Sequence, residues 1–335
     1  MPEDETTAPT FSVRPAGAAD VARITAIDKS HMGIARRGYF DKRLAGAQRF
    51  EDETVALALT AGERVEGFAL IRLEAGEFGR PGSVAVLDAF GVDSRAQGHG
   101  AGHRLMEEAI AALNARGVSA LVTQVDWAQR GLLAFLGSVG FALDGRVVLS
   151  RHPGDRMPEP DPEPDTDAAT APRESDYSAP TSDDFTALSR DRIPVRSLTE
   201  ADLAAIVAID RRHSGQERRA YYARKLDQVI NQSGVRLSLM AEIDGIAAGF
   251  VMARLDYGEF GQTADEAVME AIGVDPGFGG QGVAQALMSQ LMINLRVLRA
   301  GALRTETDWN DTALIGFLDA MGFAPAQRIS LCRRL

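Results

Sequence analysis

Glycines cluster at two places where a strand is predicted to lead into a helix, and each cluster could hold a phosphate group. The clusters are Gln97-Gly98-His99-Gly100-Ala101-Gly102 and Gly279-Gly280-Gln281-Gly282-Val283-Ala284, which follow Val92 and Val274. Glycines let successive backbone N–H groups point into one concavity, and the helix N-terminus adds a partial positive charge. The pattern predicts an anion site suited to a pyrophosphate, with a tight turn that binds no ligand as the alternative.

Acidic residues stand inside otherwise apolar predicted strands close to these clusters. Asp88 and Glu270 each lie four residues before the valine that opens the loop. On the following strand, Gln124 and Glu306 each lie sixteen residues before a Gly-Phe pair. A carboxylate in a site can accept a proton during a reaction. The alternative is that these acids are solvated residues at a strand edge. The acid repeated at positions 88 and 270 favours the functional interpretation.

A further motif lies between the first two predicted helices and carries two arginines and a tyrosine. Its members are Arg36, Arg37 and Tyr39, and again Arg218, Arg219 and Tyr221. Two guanidinium groups could bind an acidic substrate group, and pairing with nearby carboxylates is the alternative. His99 and His103 are four residues apart but have no carboxylate or cysteine partner, so no metal site is predicted.

These motifs recur because the chain is duplicated. A single offset of 182 residues superimposes the halves without an insertion or deletion, and about 49 of the 141 paired positions between Phe11 and Arg151 are identical. The period exceeds the roughly 20–50 residues of solenoid repeats, so each copy should be a complete domain. We predict domains at residues 11–152 and 192–335.

The hydrophobic pattern of each copy predicts the order β-α-α-β-β-β-α-β-α-β. Three consecutive strands form an antiparallel meander, and Asp244-Gly245 is typical of a hairpin turn. The last strand of the first copy is predicted at residues 146–151. The fold class is therefore α/β, with two tandem domains that each have a mixed, mostly antiparallel sheet flanked by helices. A doubly wound dinucleotide fold is excluded because it needs parallel βαβ units from the outset.

The segment 153–191 is rich in Pro, Asp, Glu, Ser and Thr, and is predicted to be an extended linker. Of the formal net charge of -11, about -8 falls on this segment, so both copies are nearly neutral. Overall acidity therefore does not predict a basic substrate. The copies also lack the Lys/Arg-rich face expected of a nucleic-acid-binding protein. The helix from Ala286 to Leu298 is apolar around much of its circumference, which favours packing against the first copy.

Composition also limits the cellular setting. Cys332 is the only cysteine, which excludes an internal disulfide and a cysteine-based zinc site. The N-terminus lacks the pattern of a secretory signal, and no apolar run reaches the roughly 18 residues of a membrane span. A cytoplasmic protein is predicted. Trp127 and Trp309 are predicted to pack in the fold and not to bind a cofactor.

The glycine clusters give the chain a specific resemblance to the GNAT (Gcn5-related N-acetyltransferase) superfamily, in a tandem form. The family's coenzyme A loop has the pattern (Arg/Gln)-x-x-Gly-x-(Gly/Ala), which Gln97-Gly-His-Gly100-Ala-Gly102 satisfies. The second cluster matches except that Gly279 stands at the first position. The Gly-Phe pairs at 140–141 and 322–323 also fit the family. The resemblance implies binding of acetyl-CoA through both loops and requires no metal.

The resemblance also implies roles for side chains. GNAT enzymes often use a strand carboxylate as the base that deprotonates an amine, and Glu270, Glu306 and Asp88 stand at such positions. The family often uses a tyrosine as general acid four residues before the Gly-Phe glycine, where this chain has Leu136 and Leu318. The arginine and tyrosine motif borders the acceptor site in the family's fold.

The sequence therefore predicts an N-acetyltransferase that moves an acetyl group from acetyl-CoA to a primary amine by direct attack. The acceptor is a small molecule or a peptide or protein amine, with no nucleic acid and no membrane as partner. A non-catalytic module that binds coenzyme A or acyl-CoA is the alternative.

Overall fold

The structure is a computed structural model that describes residues 10–49, 53–75, 78, 80, 83–155, 193–232, 235–256, 258–261 and 266–335. Most of the predicted linker lies outside the described residues, so its extended conformation stays a prediction.

The described residues form strands and helices in the predicted order, except that each copy has an additional strand of two residues before its last strand. The strands are β1 Phe11–Pro15, β2 Thr54–Ala61, β3 Arg64–Ala75, β4 Ser83–Val92, β5 Ala120–Asp126, β6 Ala142–Leu143, β7 Arg146–Arg151, β8 Val195–Ser197, β9 Leu239–Ile243, β10 Ile246–Asp256, β11 Glu266–Val274, β12 Ala302–Asp308, β13 Ala324–Pro325 and β14 Arg328–Arg334. The helices are α1 Val21–Met32, α2 Arg37–Arg49, α3 Ala101–Asn114, α4 Arg130–Ser138, α5 Leu203–Ser214, α6 Arg219–Asp227, α7 Val283–Val297 and α8 Thr312–Ala320.

The strands form two seven-stranded sheets, with orders β1-β2-β3-β4-β5-β14-β6 and β13-β7-β12-β11-β10-β9-β8. Strands β4 and β5 run parallel, as do β11 and β12. The pairs β1–β2, β2–β3, β3–β4, β5–β14 and β9–β10 are antiparallel. The predicted fold class is confirmed. The predicted hairpin at Asp244-Gly245 is also confirmed, because both residues have positive φ angles of 52° and 76°, as a type I′ turn requires.

Alternating residues send side chains to opposite faces of each sheet. In the first copy, Ala69 and Ile71 pack with α3 on one face, whereas Phe68 and Leu70 pack with α1 and α2 on the other. Leu105 of α3 is fully buried. Each sheet is therefore a middle layer between helices, and the loops at its edge are held by two separate apolar clusters.

The final strands belong to different sheets from those suggested by chain order. One compact unit, called unit 1, comprises residues 1–146, 256–265 and 327–335, and unit 2 comprises 147–255 and 266–326. Strand β14 pairs antiparallel with β5 in unit 1, from Arg328 opposite Asp126 to Arg334 opposite Ala120. These units differ from domains divided at 152 and 192, because β7 and β14 are exchanged.

Despite this exchange, each sheet has seven strands. Among the described residues, no helix has the length and apolar character needed to cross a membrane.

Candidate active site

The two parallel strands of unit 1 separate at the point where a pocket begins. Strands β4 and β5 are in register over three residue pairs, ending at Val86 opposite Val122. Just beyond, the Thr123 hydroxyl donates a hydrogen bond of 2.9 Å to the Leu87 carbonyl oxygen. The same bond recurs in unit 2 between Thr305 and the Met269 carbonyl, also at 2.9 Å. These threonines were not among the predicted site residues, although their identity at the 182-residue offset was a usable signal.

A pocket of about 820 Å³ occupies the space between the separated strands of unit 1. Its walls come from β4 beyond Val86, from β5 beyond Val122, from the first glycine cluster and from α4. The end of α1 and the short turn at Phe260 and Gly261 complete it. We call this the unit 1 pocket. It brings together the predicted anion loop and the predicted strand carboxylate.

The first glycine cluster has the geometry of an anion cradle. Gly98 and Gly100 have φ angles of 77° and 80°, and a Cβ atom added to either would meet no atom within 4 Å. Helix α3 begins at Ala101, directly after Gly100, so its first-turn N–H groups have no partners within the helix. The residues present therefore fit the pyrophosphate of acetyl-CoA.

Two side chains stabilise this loop through one carbonyl group. The Gln97 amide donates a 3.0 Å hydrogen bond to the Val92 carbonyl oxygen, and the His31 ring N–H donates to the same oxygen at 2.8 Å. His99 is exposed, and its ring contacts the Gln97 carbonyl. Gln97 thus stabilises the loop in addition to lining the pocket.

The second glycine cluster repeats the backbone geometry in unit 2. Gly280 and Gly282 have φ angles of 73° and 83°, and α7 begins immediately after Gly282. The His213 ring N–H donates to the Val274 carbonyl oxygen at 2.5 Å. Gly279 has no side chain to form a bond equivalent to that of Gln97. The remaining predicted ligand positions lie in the same loop and at the start of α7, namely Gln281, Val283 and Ala284.

Asp88 lies at the inner wall of the unit 1 pocket and is 1% exposed. Its Oδ2 atom accepts a hydrogen bond from Arg72 Nε at 2.5 Å, and an Arg43 guanidinium nitrogen is 3.7 Å from the same oxygen. Its Oδ1 atom has no hydrogen-bond partner among the described residues. Burial raises the pKa of the Asp88 carboxyl, nearby Glu259 raises it further, and the two arginines oppose that rise. A buried carboxylate with one unpartnered oxygen can accept a proton.

The equivalent carboxylate of unit 2 has a similar environment. Glu270 is 3% exposed, and its Oε1 atom accepts from Lys225 at 2.9 Å and from Arg254 at 2.7 Å. Lys225 and Arg254 correspond to Arg43 and Arg72 at the 182-residue offset. These basic partners were not among the predicted site residues, although their repetition around the paired acids was a usable signal.

The second pair of strand positions is also buried. Gln124 is 5% exposed and lines the unit 1 pocket, and Glu306 is 6% exposed on β12 of unit 2. Leu136 lines the unit 1 pocket, and Leu318 is fully buried in unit 2. The structure therefore places an amide and a leucine where the resemblance implied a possible base and acid. Trp127 and Trp309 are 65% and 57% exposed, so the prediction that they pack in the fold is wrong.

The arginine motif divides into buried and exposed members. Arg36 lines the unit 1 pocket and pairs with Asp28, with 2.9 Å between Nε and Oδ2. Arg37 is exposed and lies 3.5 Å from Asp41. Tyr39 is buried, and the Arg36 and Arg43 guanidinium groups lie 5.0 and 5.6 Å from its ring centre.

In unit 2, Arg218 forms an equivalent bond of 2.9 Å with Asp210. Arg219 is exposed and Tyr221 is buried. Carboxylate pairing, which was the alternative interpretation, is thus seen for three of the four arginines. A role of the motif in substrate binding stays a prediction, with Arg36 the member that reaches the unit 1 pocket.

No group of three or more His, Cys, Asp or Glu residues in the described part of the chain has the geometry to hold a metal ion. Cys332 lies on β14, and burial raises the pKa of its thiol.

Replacing Gly100 with Val should weaken the binding of acetyl-CoA by about tenfold or more, because the side chain would fill the cradle. A residue with a Cβ in this left-handed conformation also costs about 1–2 kcal/mol in stability. Calorimetric titration with acetyl-CoA measures the affinity. Gly117→Val is the matched control, since Gly117 has a φ of 67° and equal open space but is not in the glycine loop. Equal affinity losses in both variants would show that strain alone is responsible.

Comparisons with known proteins give a family match and a shared fold. The model of the acetyltransferase (GNAT) family matches residues 25–141 and 203–323, one stretch in each copy. A search of curated proteins found no match. Among solved structures, a tandem GNAT protein from the clavulanic acid biosynthesis pathway has a TM-score of 0.61 and 15% identity, covering 97% of this chain and 98% of that one.

Two other solved structures are similar over nearly the whole chain. A GCN5-related N-acetyltransferase from Sphaerobacter thermophilus has a TM-score of 0.57 and 15% identity, covering 97% of this chain and 95% of that one. A glucosamine N-acetyltransferase region of a fungal multi-domain β-N-acetylglucosaminidase has a TM-score of 0.64 and 16% identity, and the match covers 97% of this chain but 38% of the fungal chain. At these identities, the similarity shows a shared fold.

Proposed function

The chain belongs to the acetyltransferase (GNAT) family, and we propose that unit 1 transfers an acetyl group from acetyl-CoA to a primary amine. The observation that carries this proposal is the unit 1 pocket, where the glycine loop and the Asp88 carboxylate line one cavity. The loop supports binding of the pyrophosphate, and Asp88 supports removal of a proton from the acceptor. Similar residues in unit 2 make a second site possible to test with equivalent variants.

Acetyl-CoA supplies a thioester whose carbonyl carbon the amine attacks. Asp88 Oδ1 accepts the proton that the amine nitrogen loses, while Arg72 holds Oδ2 in place. A free primary amine has a pKa near 10 and is mostly protonated at pH 7, so a positioned base has a clear use. The new C–N bond forms as the C–S bond breaks, and the sulfur leaves with the electron pair.

The proposed reaction does not require a tyrosine at position 136. Leu136 cannot protonate the departing sulfur, but a thiol with a pKa near 8.5 leaves acceptably as the thiolate. Cys332 is on β14 and is not among the pocket residues, which supports direct attack without an acetylated cysteine. Leu136 also favours the second candidate, a module that binds acyl-CoA without turnover.

Acceptor-dependent release of coenzyme A distinguishes these functions. The full-length protein would be mixed with acetyl-CoA and a panel of small amines and peptide N-termini, and free thiol would be followed over time. We expect steady thiol release with at least one amine and an amide product with 42 Da of added mass, as replacement of one hydrogen by an acetyl group requires. Tight calorimetric binding of acetyl-CoA with no thiol release in any mixture would favour the binding module.

A further inference from the structure

A short turn from the second copy lies in unit 1 and contacts the candidate site. Residues 258–261 are part of unit 1, together with the first copy. The Gly258 carbonyl accepts a hydrogen bond from Arg36, and Phe260 packs against Val84 and Val86. Gly261 lies so close to α1 that an added Cβ would be 2.7 Å from Met32 Cε. The turn is therefore held at both ends against the pocket wall.

Glu259, at the centre of this turn, is 1% exposed and shares the basic partners of Asp88. One carboxylate oxygen pairs with Arg43, and the other is 3.3 Å from an Arg72 guanidinium nitrogen. Arg72 thus lies between two carboxylates, and Arg43 is paired directly with Glu259 while remaining 3.7 Å from Asp88. Two acidic and two basic side chains form one cluster, in which Asp88, Glu259 and Arg72 are buried and Arg43 is partly exposed.

This arrangement affects how readily Asp88 accepts a proton. If Glu259 were neutral, both guanidinium groups could turn fully towards Asp88 and occupy its remaining oxygen. A carboxylate bonded on both oxygens by cations is a weaker proton acceptor. In the structure, Arg43 and Arg72 both pair with Glu259. Asp88 Oδ1 has no hydrogen-bond partner among the residues that the structure describes.

We infer that Glu259, contributed by the second copy, is a positioning residue that keeps Asp88 available as a proton acceptor in the unit 1 pocket. This inference rests on the proposed function, because it deepens the role of Asp88. It also assigns a task within the first copy's site to a residue that lies 171 positions later in the sequence.

The charged and titratable groups around Asp88 fix the expected sign of a pH effect. Arg72 on β3, Arg43 on α2 and Glu259 in the turn act on the Asp88 carboxyl directly. Tyr39 on α2 is neutral in the working range, because burial raises the pKa of its phenol. Removing the negative charge of Glu259 lowers the pKa of Asp88, whereas removing the positive charge of Arg43 raises it.

The test is the pH profile of kcat/KM for the full-length Glu259→Gln variant with the amine found in the panel. We expect kcat/KM on the plateau to fall about five- to tenfold, within the range for part of a general-base effect, and the acid limb to move to lower pH. Arg43→Gln should move the acid limb to higher pH. Glu259→Asp keeps the charge and should restore most of the rate. Glu63→Gln, an exposed change in the β2–β3 turn, should match the wild-type profile.

A measurement without turnover separates this inference from the proposed function. The Asp88 carboxyl carbon would be followed by 13C NMR during a pH titration, with its signal identified by its loss in Asp88→Asn. We expect its midpoint to move down in Glu259→Gln and up in Arg43→Gln. Unchanged midpoints, or shifts in one common direction, would overturn the inference. If the midpoints move as expected but Asp88→Asn retains full activity, the link between Glu259 and Asp88 stands and the catalytic assignment of Asp88 fails.

Discussion

Replacing Asp88 with Asn is expected to lower kcat about 10²-fold, within the usual contribution of a general base. The amide keeps the shape of the carboxyl group but cannot accept the proton of the attacking amine. The affinity for acetyl-CoA should change little, because the glycine loop and α3 retain their conformation. Thiol release at saturating substrate measures kcat, and calorimetry measures binding.

Glu270→Gln is the matched control for this experiment. Glu270 occupies the corresponding position in unit 2 and also has two basic partners. We expect Glu270→Gln to leave the rate within about twofold of the wild type if unit 1 carries the activity. A large loss in Glu270→Gln with none in Asp88→Asn would place the base in unit 2. If Asp88→Asn, Glu270→Gln and Glu306→Gln all keep the wild-type rate, none of these carboxylates removes the proton.

Replacing Leu331 with Asp is expected to destabilise the protein by about 4 kcal/mol or more, because a charge would enter the apolar core of unit 1 without a partner. Leu331 lies on β14 and is 6% exposed. A loss of this size should lower the midpoint of thermal unfolding by roughly 10 °C. Differential scanning calorimetry measures the midpoint.

Leu143→Asp gives a control with the same change of side chain. Leu143 lies opposite Leu331 in the pairing of β6 with β14, but it is 75% exposed. Its replacement should shift the midpoint by about 1–2 °C at most, since exposed substitutions usually change stability by less than about 0.5 kcal/mol. Similar shifts in both variants would contradict the assignment of β14 to the core of unit 1.

Local patterns predicted the elements of the fold because they depend on residues close in sequence. Period-two alternation predicted the strands, and Asp244-Gly245 has residue types that suit a two-residue turn with positive φ angles. The glycine cluster at Gly98 and Gly100 was recognisable for the same reason, since both positions need a conformation that glycine adopts without strain. Duplication strengthened each of these signals.

Pairing of the last strands could not be predicted in this way. The strand Arg146-Val-Val-Leu-Ser-Arg151 and the strand Arg328-Ile-Ser-Leu-Cys-Arg333 share both arginines, the central leucine and the same alternation. Either strand fits either sheet by pattern alone. The place of Glu259 was hidden for a related reason, because its partners Arg43 and Arg72 lie about 190–220 residues away and only the folded chain brings them together.

The position of β14 also sets when the sheet of unit 1 can be completed during synthesis of the chain. Unit 1 needs residues 328–334 beside β5, yet β5 ends at Asp126, about 200 residues earlier. At about 5–20 residues per second, a ribosome takes roughly 10–40 seconds to make that interval. During it, β5 is an open edge that can template pairing, and β7 is the first strand made whose alternation matches that of β14. Completion of the first sheet therefore waits until residues 328–334 have been synthesised.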